Sequence, residues 1–240
     1  LIGAAIFEVL ISFVFFTDKP KFRYYASRAQ MIIRNGKWLG LATILNYLNE
    51  NADNVILGKI VGTHSLGLYQ NSYALAHKVN YEVAKSIHHG VIPIYAKINT
   101  QSQRLNPAFY KALATTVGLA LLGSLPLLFF PDLVVKVVLG SQWLGAIPFV
   151  PWLTLAGILQ AVSAASYSLF LAKRHYHFLN THLWITLVVT LVLIVWWGNW
   201  QGLAGAVIGI LVARIATTPI LAYYICRSLE QPTVTLRERT

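Results

Sequence analysis

The residues able to do chemistry in this chain lie inside stretches that are otherwise apolar. Asn46, Glu50, Asp53 and Asn54 follow at spacings of four, three and one, which puts them on one stripe of a helix. Lys78, Glu82, Lys85 and His89, spaced four, three and four, make a second stripe, flanked by His77, Tyr81 and His88. Arg214 is a cation inside a long run free of other charge. An ionisable group within hydrocarbon costs several kcal/mol unless it is paired or faces water, so these six mid-span charges on three helices are expected to line one polar cavity. Each has a plainer reading as well. Lys78, Glu82 and Lys85 can form an ion-pair ladder that only locks helices together, and Arg214 can merely neutralise Glu50 or Asp53. Lys59, near a helix end, can extend its charge to water.

These groups stand out because of what surrounds them. The 240 residues are 56% hydrophobic and 11% charged, with a mean hydropathy of +0.59, where an average soluble domain is about a quarter charged. Runs of 20, 36 and 39 residues without Asp, Glu, Lys or Arg separate Lys111 from Asp132, Lys136 from Lys173 and Arg174 from Arg214. A membrane-crossing helix needs about 20 mostly apolar residues, so each run holds one or more spans. The net charge of +11 would suggest a nucleic-acid binder in a soluble chain, but the uncharged runs exclude that class and a globular enzyme alike. A single cysteine, Cys226, leaves no internal disulfide. His175, His177 and His182 fall in or beside a turn with no thiol or carboxylate among them, so neither metal nor other cofactor is expected. GxSxG, HExxH, P-loop and GxGxxG strings are absent from any suitable context, and no catalytic residue is assigned.

The elements that must carry the charged stripes are helices. Period-two alternation is missing, and open sheet edges do not survive in lipid. Seven segments emerge at 1–16, 37–61, 66–97, 108–130, 144–172, 177–197 and 202–226. Leu1 opens directly in an apolar run with no basic stretch or cleavage site, which reads as a chain beginning inside a helix rather than a signal peptide. Fourteen of the 19 basic residues fall in residues 19–37, 97–111, 173–174 and the tail, whereas the alternate loops carry only Lys136. Because Lys and Arg stay in the cytoplasm, segment one runs inward and the tail lies inside. Trp196, Trp197 and Trp200 then mark one interface and Tyr223 and Tyr224 the other. Glu50 lies about 20 Å from the boundary at Lys37, and Arg214 about 18 Å from Gly202. Residues 17–36 read as a basic cytoplasmic linker with Phe22, Tyr24 and Tyr25 as headgroup anchors, and residues 227–240 as a cytoplasmic tail. Gly205 and Gly209 form a GxxxG that permits close helix packing.

Several strings carry a resemblance. Asn35-Gly-Lys-Trp-Leu-Gly40 enters a span, followed by Asn51-Ala-Asp-Asn-Val-Ile-Leu-Gly-Lys-Ile-Val-Gly62, Leu66-Gly-Leu-Tyr69 and Tyr73-Ala-Leu75. Ile92-Pro-Ile-Tyr-Ala-Lys-Ile98 and Leu139-Gly-Ser-Gln-Trp-Leu-Gly-Ala146 extend the ordered set. Together they resemble the Wzx-type oligosaccharide flippases of the multidrug/oligosaccharidyl-lipid/polysaccharide exporter superfamily, with His64-Ser65 and Ala96-Lys97 as departures from the usual pattern.

The resemblance implies an all-α polytopic membrane bundle, in which residues 1–16 end a first lobe and residues 37–226 form a six-helix second lobe of a two-lobe transporter. It implies movement of an undecaprenyl-diphosphate-linked oligosaccharide across the bacterial cytoplasmic membrane for lipopolysaccharide, O-antigen or exopolysaccharide synthesis. Lys78, Lys85 and Arg214 would hold the diphosphate. Asn46, Asn54, Tyr81 and His77 would bind sugar, and Glu50, Asp53 and Glu82 would couple an ion. Membrane lipids, a polysaccharide polymerase and glycosyltransferases of the same pathway are the implied partners, with no nucleic acid. The alternatives are another transporter of the superfamily, such as a peptidoglycan-precursor flippase or drug exporter, or a membrane glycosyl- or acyltransferase.

Overall fold

The computed structural model describes Phe7, Ile11 and residues 26–231, apart from the side chains of 26–32, 34, 35, 78, 79, 81, 83 and 102. The expected span 1–16, apart from Phe7 and Ile11, residues 17–25 of the expected linker and the tail beyond 231 therefore lie outside the described residues. The chain divides into two units, Leu1–Lys37 and Trp38–Thr240, and the second holds the helical bundle. The described residues are helical and include no strand. In order come α1 (Ala26–Ile60), α2 (Gly62–Ile98), α3 (Ser102–Phe129), a short α4 (Pro131–Val138), a 3-10 helix (Ser141–Phe149), α5 (Val150–Lys173) and α6 (Tyr176–Glu230). Among the described residues, three stretches are long and apolar enough to cross a membrane: Gln103–Phe129, Ser141–Lys173 and Tyr176–Glu230. The all-α membrane bundle expected from composition is the fold observed.

The boundary between the expected spans at 177–197 and 202–226 is not a loop. Gly202 alone breaks the helical run, at φ 62° and ψ −139°, a conformation essentially closed to residues with a Cβ. The reversal lays the second half of α6 against the first. A Cβ on Gly205 would stand 2.3 Å from the Trp197 carbonyl oxygen, and one on Gly209 3.0 Å from that of Leu193. The GxxxG spacing thus serves backbone-to-backbone approach within one bent helix.

Polarity is inverted relative to a soluble bundle. Leu121, Leu122, Leu125, Phe129, Val188, Val192 and Trp196 are exposed, while Ser72, Asn80, Thr116, Ser124, Ser166 and Thr186 are buried. In water that arrangement would leave a large apolar patch on the surface, whereas in lipid the outward face is solvated by acyl chains and the small polar residues pack inside. Besides a small apolar cluster of Leu127, Val135 and Val150, two larger ones hold the bundle. One is built on Leu45, Tyr95, Phe109, Leu169, Phe170 and Leu221, the other on Leu57, Tyr69, Leu153, Ile194 and Val207. Helix α2 packs most extensively on α5. Gly157 permits that approach, because a Cβ there would meet the Asn80 amide nitrogen at 2.7 Å.

The hairpin between α5 and α6 is tied to the end of α6. Lys173 is almost wholly buried, and its Nζ donates to the carbonyl oxygens of Ser228 at 2.5 Å, Leu229 at 3.3 Å and Gln231 at 2.7 Å. Those carbonyls lack intrahelical donors, and a cation there also opposes the negative end of the helix dipole. His175 joins the same end, its Nδ1 lying 2.8 Å from the Ser228 hydroxyl. We expect Lys173→Met to free the last turn, each charge-assisted hydrogen bond being worth about 1.5–3 kcal/mol. Trypsin should then cut after exposed Arg227 at least about tenfold faster than in wild type, a factor worth about 1.4 kcal/mol.

Candidate functional site

A cavity of about 290 Å³ opens among α1, α2, α5 and both halves of α6. Helix α1 presents Asn46, Asn49 and Glu50 to it, one turn apart on one stripe. From α2 come His77, Asn80, Ala84, Lys85, His88 and His89, and from α5 Gly157, Gln160, Ala161, Ser163, Ala164 and Tyr167. The first half of α6 adds His182 and Thr186, and the second half adds Arg214. Phe170, Leu179, Leu183 and Leu221 complete the wall and belong to the first apolar cluster.

Of the residues singled out in the sequence, the structure brings Asn46, Glu50, His77, Lys85 and Arg214 together on this cavity. Lys78 and Tyr81 are helical, but their side chains lie outside the described ones. Asp53, Asn54 and Glu82 are not on the wall. Asp53 is buried, accepts the Tyr69 hydroxyl and the Asn54 backbone N–H, and is thereby locked in place. Asn54 accepts from Gln70 at 3.3 Å. Glu82 is exposed and is not among the lining residues, although Lys85 and His89 of the same stripe are.

The hydrogen bonds show which groups are already occupied. Asn46 donates to Glu50 Oε1 at 2.9 Å, and Asn49 donates to the carbonyls of Leu45 and Leu183 at 2.8 and 3.0 Å. Asn80 donates to the Ala76 carbonyl and accepts from Ser124, both at 3.1 Å. His88 is hydrogen-bonded to Ser168 and meets the Tyr167 ring edge-on. His77 stacks on Tyr73 at 5.0 Å. Arg214 differs from all of these. It lies close enough to act electrostatically on Glu50, Asp53, Tyr73, His77 and His182. Yet among the described residues its guanidinium makes neither a hydrogen bond nor an ion pair, and the two acids it faces are held by Asn46 and Tyr69.

Sequence reasoning missed Asn80, Gln160 and Thr186, and misplaced His182. The signal available was an uncharged polar residue inside an apolar span, weaker than a charge. His182 is not beside the turn, because α6 begins at Tyr176 and carries it nearly two turns inward to a buried position on the cavity.

The family model described as polysaccharide biosynthesis protein matches residues 1–148, more than half of the chain. The chain belongs to that family. Its Wzx-type character, read from strings between residues 35 and 146, agrees with its relatives. The lipopolysaccharide biosynthesis protein WzxC of Escherichia coli is 29% identical over 217 residues, covering 86% of this chain and 42% of WzxC. A membrane protein in the cps region of Klebsiella pneumoniae is 26% identical over 78% of this chain and 38% of its own length. The teichuronic acid biosynthesis protein TuaB of Bacillus subtilis is 29% identical over 54% of this chain and 27% of its own length. The chain thus spans less than half the length of these relatives. No solved structure matches it. This member of the polysaccharide biosynthesis family is a membrane protein whose second unit contains a cavity lined with amides, imidazoles, hydroxyls and a guanidinium unpaired among the described residues.

Proposed function

We propose that the chain is part of a flippase that moves an undecaprenyl-diphosphate-linked oligosaccharide from the inner to the outer leaflet of the bacterial cytoplasmic membrane, a multi-pass transporter rather than an enzyme. The observation that carries this reading is Arg214. A half-buried guanidinium that lines a cavity inside an apolar bundle, with both nearby acids hydrogen-bonded to other side chains, has open donors among the described residues. A diphosphate supplies what it lacks, accepting two parallel N–H bonds in the planar fork geometry. Lys85, and Lys78 on the same helix, add cationic character, while His77 and Asn46 offer hydrogen bonds to sugar. Glu50 is the carboxylate on the wall suited to taking up a proton or cation as the site changes access. Asp53 is better suited to fixing α1 through Tyr69 than to coupling.

In this reading, residues 37–226 work as one lobe rocking against another around the bound headgroup. Glycosyltransferases that build the lipid-linked unit act before it, and a polymerase consumes it on the other side. The names of WzxC and TuaB, both polysaccharide biosynthesis proteins, favour this cargo over a drug. Deleting the full-length gene from its host should abolish surface polysaccharide and leave lipid-linked oligosaccharide accumulated and inaccessible to lectin added outside spheroplasts. Accumulation of undecaprenyl lipid carrying an incomplete sugar unit would contradict the reading, since that result marks a missing transferase.

A further inference from the structure

Threonine and serine in these helices commonly return their hydroxyl to the carbonyl four residues back. Thr43, Thr116, Thr154, Ser166, Thr217 and Thr218 all do so. Thr186 and Thr190 on the first half of α6 do not. Their hydroxyls are buried without a partner among the described residues, as is His182 Nδ1 at the start of the same stripe. The three residues, spaced by four, are 4%, 1% and 8% exposed in the order His182, Thr186, Thr190. A buried polar atom with no partner costs about 1–3 kcal/mol, so those of the three that border a cavity point to a ligand there that completes them. Only His182 and Thr186 reach the cavity wall, where His182 lies within the electrostatic range of Arg214.

We propose that His182 and Thr186 form a subsite for the sugar attached directly to the diphosphate. The proposal rests on the reading of the cavity as the lipid-linked oligosaccharide site. In such a substrate the first sugar is bonded to the phosphate, so the groups that read it must share the cavity with the anion-binding group, as His182, within electrostatic range of Arg214, and Thr186, one turn further along the same helix, do. A sugar hydroxyl both donates and accepts, which matches a threonine hydroxyl and an imidazole nitrogen in either tautomer. The subsite confers specificity for the first sugar and contributes nothing to the lipid diphosphate alone.

Thr190 provides the control, being of the same residue type, on the same stripe and equally unpartnered, but off the wall. The purified full-length protein is presented in detergent with undecaprenyl diphosphate, or with the lipid-linked oligosaccharide extracted from its host, and complexes are counted by native mass spectrometry. Thr186→Val should bind the oligosaccharide lipid about five- to tenfold more weakly, the worth of one neutral hydrogen bond, with undecaprenyl diphosphate unaffected. His182→Phe should show the same selectivity. Thr190→Val should bind both lipids like wild type. Without ligand, Thr186→Val should melt at or above the wild-type temperature, because it removes a polar atom that has no partner.

Equal weakening by Thr186→Val and Thr190→Val, or a drop in ligand-free melting temperature for Thr186→Val, would assign the hydroxyls to structure and overturn the proposal. Unchanged binding of the oligosaccharide lipid by Thr186→Val and His182→Phe would mean that the stripe holds water only, and would overturn it while leaving the transport reading intact. Failure of the wild-type protein to bind either lipid would overturn both.

Discussion

Arg214→Ala in the full-length protein abolishes surface polysaccharide at normal membrane abundance, and Arg214→Lys leaves at most about a tenth of the wild-type level. The second expectation follows from shape. A lysine keeps the charge but loses the planar fork that holds two phosphate oxygens at once, a difference worth at least about 1.4 kcal/mol, or tenfold. The competing account makes Arg214 a neutraliser of Glu50 or Asp53. On that account the damage in Arg214→Ala comes from an orphaned buried carboxylate, and adding Glu50→Gln or Asp53→Asn repairs it. The hydrogen bonds argue against repair, because Glu50 already takes a donor from Asn46, and Asp53 from Tyr69 and the Asn54 backbone. Both double variants should therefore remain inactive. Recovery of polysaccharide in either would remove Arg214 from the substrate site.

The largest stability effect belongs to Gly205. Because a Cβ there would lie 2.3 Å from one backbone carbonyl oxygen and 2.9 Å from its carbon, Gly205→Ala must prise apart the two halves of α6. Overpacking against side chains costs about 1–3 kcal/mol, and a backbone cannot relax as a side chain does, so the cost should lie at or above the top of that range. Gly209→Ala meets its nearest carbonyl at 3.0 Å and should cost less, while Gly118→Ala, with nothing within 4 Å, should be neutral or slightly stabilising through helix propensity. Melting temperatures of the three variants in detergent should fall in the order Gly118→Ala, Gly209→Ala, Gly205→Ala. A Gly205→Ala protein as stable as wild type would show that the two halves of α6 do not approach so closely.

The fold was legible where the physics is one-dimensional. Long runs without charge dictate helices in lipid, and Asp132, Lys173 and Arg174 fall at helix ends, whereas Lys111 lies inside the helix Ser102–Phe129. The bend at Gly202 reads in the sequence as a four-residue loop, because composition does not distinguish a short loop from a single glycine at positive φ. Pro131–Val138, expected as connection, folds as a short helix with Leu133, Val137 and Val138 exposed, and the first turns of the span expected at 144–172 belong to the 3-10 helix Ser141–Phe149.

At the site, spacing predicted that Asn46 and Glu50 share a face with each other, but not that Asp53 turns away toward Tyr69, which needs the packing of α2 on α1 to be known. Lys85 and Arg214 were visible as charges out of place. Gln160 became visible only as a lining residue of the cavity, and His182 and Thr186 also through buried polar atoms without partners among the described residues. Glu82, a charge noticed for its depth in the sequence, is exposed and is not among the residues of the cavity wall.

The most direct test of the central claim is movement of the headgroup itself. Full-length protein is reconstituted into vesicles containing the host's lipid-linked oligosaccharide, with a proton or sodium gradient imposed, and a membrane-impermeant glycosidase is added outside. Protein-free vesicles should lose only the outer-leaflet sugar. Wild-type vesicles should go on to lose the inner-leaflet share as well, and Arg214→Ala vesicles should stop where protein-free vesicles do. Wild-type vesicles that stop at the outer leaflet under both gradients, or Arg214→Ala vesicles that match wild type, would contradict the account.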